Sequence, residues 1–103
     1  MQANSSDITY YEAVGRRKNA TARVRLYLAK EGHEKGDMIV NGLPVEKYFF
    51  GEVAKKIYLE PFRTTNTIGR FVTSILVSGG GLSGQLGAVL QGISRALCKV
   101  DLE

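Results

Sequence analysis

Three consecutive glycines stand between an apolar run and a periodic one, and little else in the sequence restricts the fold as strongly. Phe71-Val72-Thr73-Ser74-Ile75-Leu76-Val77 is short and rich in β-branched residues, which predicts a strand. Ser78-Gly79-Gly80-Gly81 follows. Leu82, Leu86, Val89, Ile93, Leu97 and Val100 then recur at steps of three and four, which lays one apolar stripe along a helix. Glycine in triplicate costs backbone entropy, so it answers a need: a left-handed turn, or a backbone that something approaches closely. The free N–H groups of the first helical turn, with those of the glycines, favour an anion such as a phosphate. A tight strand-to-helix connection without a ligand would use the same glycines.

Gly79, Gly81 and Gly84 also spell G-x-G-x-x-G between a strand and a helix, the dinucleotide-binding pattern. That reading requires a further parallel strand after the helix with an acid about twenty residues on. Asp101 and Glu103 lie at that distance, but no strand follows in the sequence, so the pattern is not read as a dinucleotide site. No Gly-Lys-Ser/Thr follows the glycines, which excludes a P-loop.

At 103 residues the chain has room for one small domain. The polar residues 1–7 are expected to form a disordered N-terminal segment, and residues 8–103 a single domain. No apolar run approaches the roughly eighteen residues of a membrane span, and the N-terminus lacks a secretory signal, so a cytoplasmic location without membrane contact is expected. The single cysteine, Cys98, falls in the last helix and is expected to be a buried structural thiol.

Charge placement says more than the net charge of +4. Between Glu12 and Glu31 the cations Arg16, Arg17, Lys18, Arg23, Arg25 and Lys30 occur with no acid among them, a block that suits a polyanion. Ile8 to Val14 reads as a strand. Ala20 to Ala29 alternates, with Ala22, Val24, Leu26 and Leu28 on one face and Thr21, Arg23, Arg25 and Tyr27 on the other. The connection Gly15-Arg16-Arg17-Lys18-Asn19 makes these a hairpin, with Arg16, Arg17 and Lys18 at its tip and Arg23 close behind.

Lys30 to Asp37 reads as a polar loop. It contains the only histidine, His33, which no Ser, Cys or second His accompanies and which reads as a solvated loop residue. Met38-Ile39-Val40 is a short strand ended by the turn pair Asn41-Gly42. Pro44 opens a short helix, Val45 to Phe50, offering Tyr48, Phe49 and Phe50 to the core. Glu52 to Glu60 reads as a second helix, apolar at Val53, Ile57 and Tyr58 and stopped before Pro61. The order strand, strand, short strand, helix, helix, strand, helix predicts an α+β fold, a small sheet with helices on one face. No metal site, no cofactor site and no catalytic constellation emerges from these residues.

Two long segments together resemble a known family. Gly15-Arg16-Arg17-Lys18-Asn19-Ala20-Thr21-Ala22-Arg23-Val24, and Gly79-Gly80-Gly81-Leu82-Ser83-Gly84-Gln85 running through Arg95-Ala96-Leu97, look like the two signatures of the bacterial-type ninth small-subunit ribosomal protein, the S-nine family. Ile39-Val40-Asn41-Gly42 and Tyr48-Phe49 are similar to its middle segment, so the resemblance covers Tyr10 to Asp101. It implies a fold like the second domain of the small subunit's fifth protein (S-five), a small mixed sheet with a left-handed βαβ crossover where periodicity alone predicts a right-handed one.

The resemblance further implies a non-enzymatic structural constituent of the small ribosomal subunit, bound to ribosomal RNA in the head near the decoding and peptidyl-tRNA site, beside neighbouring head proteins. Arg16, Arg17, Lys18, Asn19, Arg23 and Arg25 would then contact RNA. Gly80, Gly81, Ser83 and Gln85 would approach its backbone, and Arg95 and Lys99 would add charge. The chain departs from the family at Leu90-Gln91, where members usually carry a basic pair, and no RNA contact is carried over there. Members also continue into a long basic tail that reaches toward transfer RNA. This sequence ends at Glu103, and the tail's contact is carried over to no residue present.

An alternative is the nucleotide-binding fragment of a small-molecule kinase like galactokinase or homoserine kinase, to which Gly81-Leu82-Ser83-Gly84 is a loose match. No carboxylate and lysine set is placed to hold a metal and activate a hydroxyl. A protein-only interaction module would use Tyr48 to Phe50 but leaves the arginine block without a purpose.

Overall fold

A computed structural model describes residues 10–28, 38–67 and 70–102. The expected disordered segment 1–7, the start of the first strand at Ile8, and the loop Lys30 to Asp37 with His33 lie outside the described residues. Five strands, β1 (Tyr10–Arg17), β2 (Ala20–Leu28), β3 (Met38–Val40), β4 (Leu43–Pro44) and β5 (Phe71–Ser78), form one sheet in the order β1-β2-β5-β3-β4. All neighbours are antiparallel except β3 and β5, which run parallel. Helix α1 (Val45–Tyr48) and helix α2 (Gly51–Thr64) join β3–β4 to β5, and helix α3 (Leu82–Leu102) follows the glycines. The fold is therefore the expected α+β arrangement with a mixed sheet. Among the described residues no helix is long and apolar enough to cross a membrane.

The period-two pattern decides which face of the sheet is covered. Ala20, Ala22, Val24 and Leu26 of β2 and Phe71, Thr73, Ile75 and Val77 of β5 are buried under the helices. Ala22 pairs with Val77 and Val24 with Ile75, so the two strands present one continuous apolar surface. Helix α3 crosses this surface with Ala88, Val89, Ile93, Ala96 and Leu97 buried, and Tyr58, Pro61 and Phe62 of α2 close the core beside it.

The expected stripe Leu86, Val89, Ile93, Leu97 and Val100 does face inward, but Leu82 is exposed. It precedes the point where α3 meets the sheet. The closest contact is made instead by small residues. A Cβ on Gly15 would lie 2.0 Å from the Ala88 carbonyl oxygen and 2.5 Å from the Gly92 nitrogen, so helix and strand meet backbone to backbone. Gly15 thus belongs to β1 and to the helix contact, not to the hairpin turn.

Four further expectations are corrected. Helix α2 does not stop before Pro61 but runs to Thr64: Pro61 forfeits one backbone bond, yet it and Phe62 are buried. The Thr64 and Thr65 hydroxyls then donate to the Pro61 carbonyl oxygen, and Asn66 in the left-handed region, φ +59°, ends the helix. The first helix is shorter than expected, and of its aromatics only Phe49 is buried. Tyr48 is half-buried, while Phe50 (75%) and Val53 (74%) are exposed. Cys98, one position past buried Leu97, faces solvent at a shallow cleft with Pro61, Thr64 and Ser94. The two-residue strand β4 has no pattern of its own in the sequence. It follows from Asn41 and Gly42, both at positive φ (+51° and +84°), the two-residue turn that matches strand twist.

Candidate nucleic-acid interface

The pairing of Arg17 with Ala20 places the β1–β2 turn at Lys18-Asn19, with Lys18 at φ +56°. Arg16, Arg17, Lys18 and Asn19 are all exposed. Because strand residues alternate, the two arginines leave opposite faces. Arg16 sits on the open face across from Thr21, whereas Arg17 sits on the helix face, where its side chain lies over Gly87 of α3. A Cβ on Gly87 would lie 2.2 Å from the Arg17 Cδ, so the bare glycine makes the channel in which this guanidinium stem rests.

The glycine turn is built against the same tip. Gly79 and Gly80 have φ of +78° and +58°. A Cβ on Gly79 would meet the Asn19 carbonyl oxygen at 2.2 Å, and one on Gly80 would come within 3.1 Å of the Ala20 Cβ. Both needs that glycine answers are thus present, and the approaching backbone is the chain's own hairpin. Hairpin tip and glycine turn consequently form one surface, with Lys18 and Arg17 beside the amides that open α3.

The Gly81 carbonyl accepts from Gln85 N at 2.9 Å, the first bond of the helix ladder. Gly81 and Ser83 are exposed, a Cβ on Gly81 would meet nothing within 4 Å, and the first turn carries no acidic residue. The N-terminal N–H groups therefore retain their partial positive charge.

Gln85 has a different place. Its Nε2 donates to the Gly79 carbonyl at 3.0 Å, and its Oε1 accepts from the Tyr48 hydroxyl at 2.8 Å. The side chain fastens the glycine turn to α1. Asn41 does the same from β3: its Oδ1 accepts from Val77 N at 2.9 Å and its Nδ2 donates to Val77 O at 3.1 Å, so one side chain extends the β3–β5 ladder by a rung.

Arg23 lies opposite Val14, three pairs back from the tip on the open face, and Arg25 opposite Glu12. The Glu12 Oε2 takes Arg25 Nε at 3.1 Å and Arg23 Nε at 3.5 Å. The acid-free block of the sequence thus meets an acid across the sheet. The hydrogen bond to Glu12, followed by one to Tyr27, raises the Arg25 pKa further above its already high value, so the group stays charged.

Arg95 and Lys99 project from α3 to the outer edge of β1, where Arg95 Nη1 donates to Val14 O at 2.8 Å and Lys99 Nζ to Glu12 O. Gln91 completes the series by accepting from Arg16 N at 2.7 Å. Arginine has five donors and lysine three, so both exposed cations keep donors for solvent or a ligand.

The sequence does not mark Glu12, Gln91, Asn41, Tyr48 or Gly87 as site residues. For Glu12 a signal existed, because a two-residue turn at Lys18-Asn19 pairs residue 12 with residue 25. The others depend on contacts between elements far apart in the chain.

A family model described as ribosomal protein S9/S16 matches residues 15–103. A protein of Maridesulfovibrio salexigens named small ribosomal subunit protein uS9 is 46% identical over 99 residues, which cover 96% of this chain and 71% of that protein. Proteins of the same name from Rickettsia canadensis and Dehalococcoides mccartyi are 45% and 41% identical, over 86% and 90% of this chain and 52% and 67% of theirs. The chain thus spans from about half to about seven tenths of the length of these relatives.

Proposed function

Because the chain belongs to the ribosomal protein S9/S16 family, we propose that it is a non-enzymatic structural constituent of the small ribosomal subunit, gripping small-subunit ribosomal RNA with its hairpin tip and glycine turn. One observation carries this reading. The backbone of Asn19-Ala20 packs on Gly79-Gly80, which brings Arg17 and Lys18 beside the N-terminus of α3 on one exposed surface, with no acid in the helix's first turn. Cations and amide donors on a common surface suit RNA phosphates, the groups through which structured RNA is chiefly met.

On this reading Arg16, Arg17 and Lys18 bind phosphates, with Asn19 beside them. The amides of Gly80 and Gly81 and the Ser83 hydroxyl donate to the RNA backbone. Gln85 acts mainly by holding the turn. Arg23 and Arg25 reach RNA in competition with Glu12, and Arg95 and Lys99 contribute the donors that the β1 edge does not use. The protein works in the cytoplasm, in the subunit's head near the decoding and peptidyl-tRNA site, against neighbouring head proteins. The parallel β3–β5 pair, joined through α1 and α2, is taken as the family's left-handed crossover in an S-five domain-two-like fold.

The test is affinity for the 3′ domain of small-subunit ribosomal RNA, against an unrelated structured RNA, across a salt series. Preference for the cognate RNA is expected. Arg17→Ala should lower the slope of log affinity against log salt by about one, the loss of one phosphate contact. Equal binding to both RNAs, with a slope that Arg17→Ala leaves unchanged, would refute the reading.

A further inference from the structure

The face of the sheet turned away from the helices carries a different chemistry from the hairpin tip. Register sets Tyr10 opposite Tyr27, with ring centroids 5.2 Å apart and planes inclined at 48°. The Arg25 guanidinium lies 4.9 Å from the centre of the Tyr10 ring. Tyr10 is 40% exposed and Leu76, across from Arg23, is 60% exposed. Cross-strand aromatic pairs stabilise hairpins, but that role requires neither the exposure of Tyr10 nor a guanidinium stacked on its ring.

We propose that Tyr10, Tyr27 and Arg25 form a stacking platform for unpaired RNA bases, with Arg16 and Arg23 set to meet the strand's phosphates. The charge of the face selects this occupant. Among its described residues three guanidinium groups face one carboxylate, Glu12, and β5 contributes only Val72, Ser74, Leu76 and Ser78. A partly exposed tyrosine ring with a guanidinium stacked on it fits a nucleotide, whose base stacks while its phosphate takes the charge. A duplex cannot use such a platform, because its bases are already stacked and paired. The platform rests on the RNA-binding reading above but uses another surface, at the opposite face of the sheet from Arg17 and Gly87.

The experiment uses the 103-residue chain with two probes, fluorescein-labelled octauridylate and a short RNA duplex, read by anisotropy at fixed salt. Replacing both rings, Tyr10→Leu with Tyr27→Leu, keeps apolar side chains on the strands and removes the π-faces. It should weaken octauridylate binding about 5- to 150-fold, the range for one to a few kcal/mol of stacking, and leave duplex affinity unchanged. The double Phe variant, which keeps both rings, should bind both probes as the parent does, and circular dichroism checks that all variants are folded. Equal losses for the two probes, or none for octauridylate, overturn the platform. If the parent still prefers the 3′ ribosomal RNA domain, the ribosomal reading survives that result. A parent that binds none of these RNAs overturns both.

Discussion

Replacing Gly15 by alanine tests the claim that α3 lies backbone to backbone on the hairpin. The added methyl would sit 2.0 Å from the Ala88 carbonyl oxygen and 2.5 Å from Gly92 N, and neither is the end of a side chain that can swing aside. Restoring an ordinary contact of 3.4 Å means backing the helix off by about 1.4 Å. A gap of 0.5–1 Å already forfeits about a quarter to a half of a dispersion well, so the loss extends along the buried side chains of Ala88, Val89 and Ile93.

Overpacking of this kind costs about 1–3 kcal/mol, and the rigidity of both partners places Gly15→Ala at the upper end, about 3 kcal/mol. For a domain of this size that lowers Tm by about 12–24 °C, measured by circular dichroism with a urea titration to check the slope. Gly81→Ala is the matched control: its Cβ would meet nothing within 4 Å and its φ is not in the left-handed region. It should melt within about 0.5 kcal/mol of the parent. A Gly15→Ala protein that melted beside that control would refute the close approach. The same shift would pull Arg17 off Gly87, so RNA affinity should fall with stability in Gly15→Ala.

Glu12→Gln leaves Arg23 and Arg25 without their carboxylate. RNA binding should tighten at low salt and the salt slope steepen by up to about one, with stability within about 1 kcal/mol because the pair is partly exposed. An unchanged slope would mean that these arginines do not reach phosphate. Tyr48→Phe removes the donor to Gln85 and should cost about 1 kcal/mol, a drop of about 4–8 °C in melting temperature; an unaltered melting temperature would show that the Tyr48–Gln85 bond does not hold the turn. Burial, reinforced by Glu46 and Glu52, raises the Tyr58 phenol above its usual value of 10.0. The folded chain then keeps a proton that the unfolded chain has lost, so this contribution is complete below pH 10 and disappears as pH rises through the folded value. Tyr58→Phe should flatten the fall in stability above about pH 10, and an identical alkaline profile would count against a buried phenol.

What could be read from the sequence was whatever a single element states about itself. The alternation of Ala20 to Leu26 fixed both faces of β2 before any partner was known, and the steps of three and four from Leu86 to Val100 gave the inward side of α3. The differences between pattern and structure share a cause. Gly15 looks like a turn residue beside Arg16-Arg17-Lys18, and only the crossing of α3 reveals that it is a contact surface. Pro61 normally ends a helix, and its burial with Phe62 overrides that local preference. Val53 falls on an apolar spacing but faces solvent because α2 turns Tyr58 and Phe62 inward. The acid-free block was real in sequence, yet Glu12 reaches it across the sheet, which a linear scan cannot see.

The edge of β1 shows how one set of cations serves both fold and site. Gln91, Arg95 and Lys99 are spaced by four on α3, a rise of about 6 Å per step, and their partners Arg16 N, Val14 O and Glu12 O are spaced by two on the strand, about 6.6 Å per step. The two repeats stay nearly in phase over three rungs, so a helix face stands in for a missing sixth strand. An edge strand left bare would invite pairing with another chain. Here the groups that cap it are long, exposed and mostly cationic, and among the described residues one donor of each cation is used. Removing Arg95 should therefore both loosen the β1 edge and weaken RNA binding, whereas Gln91, having no charge, should affect the edge alone. That difference separates the structural use of this helix face from its electrostatic use.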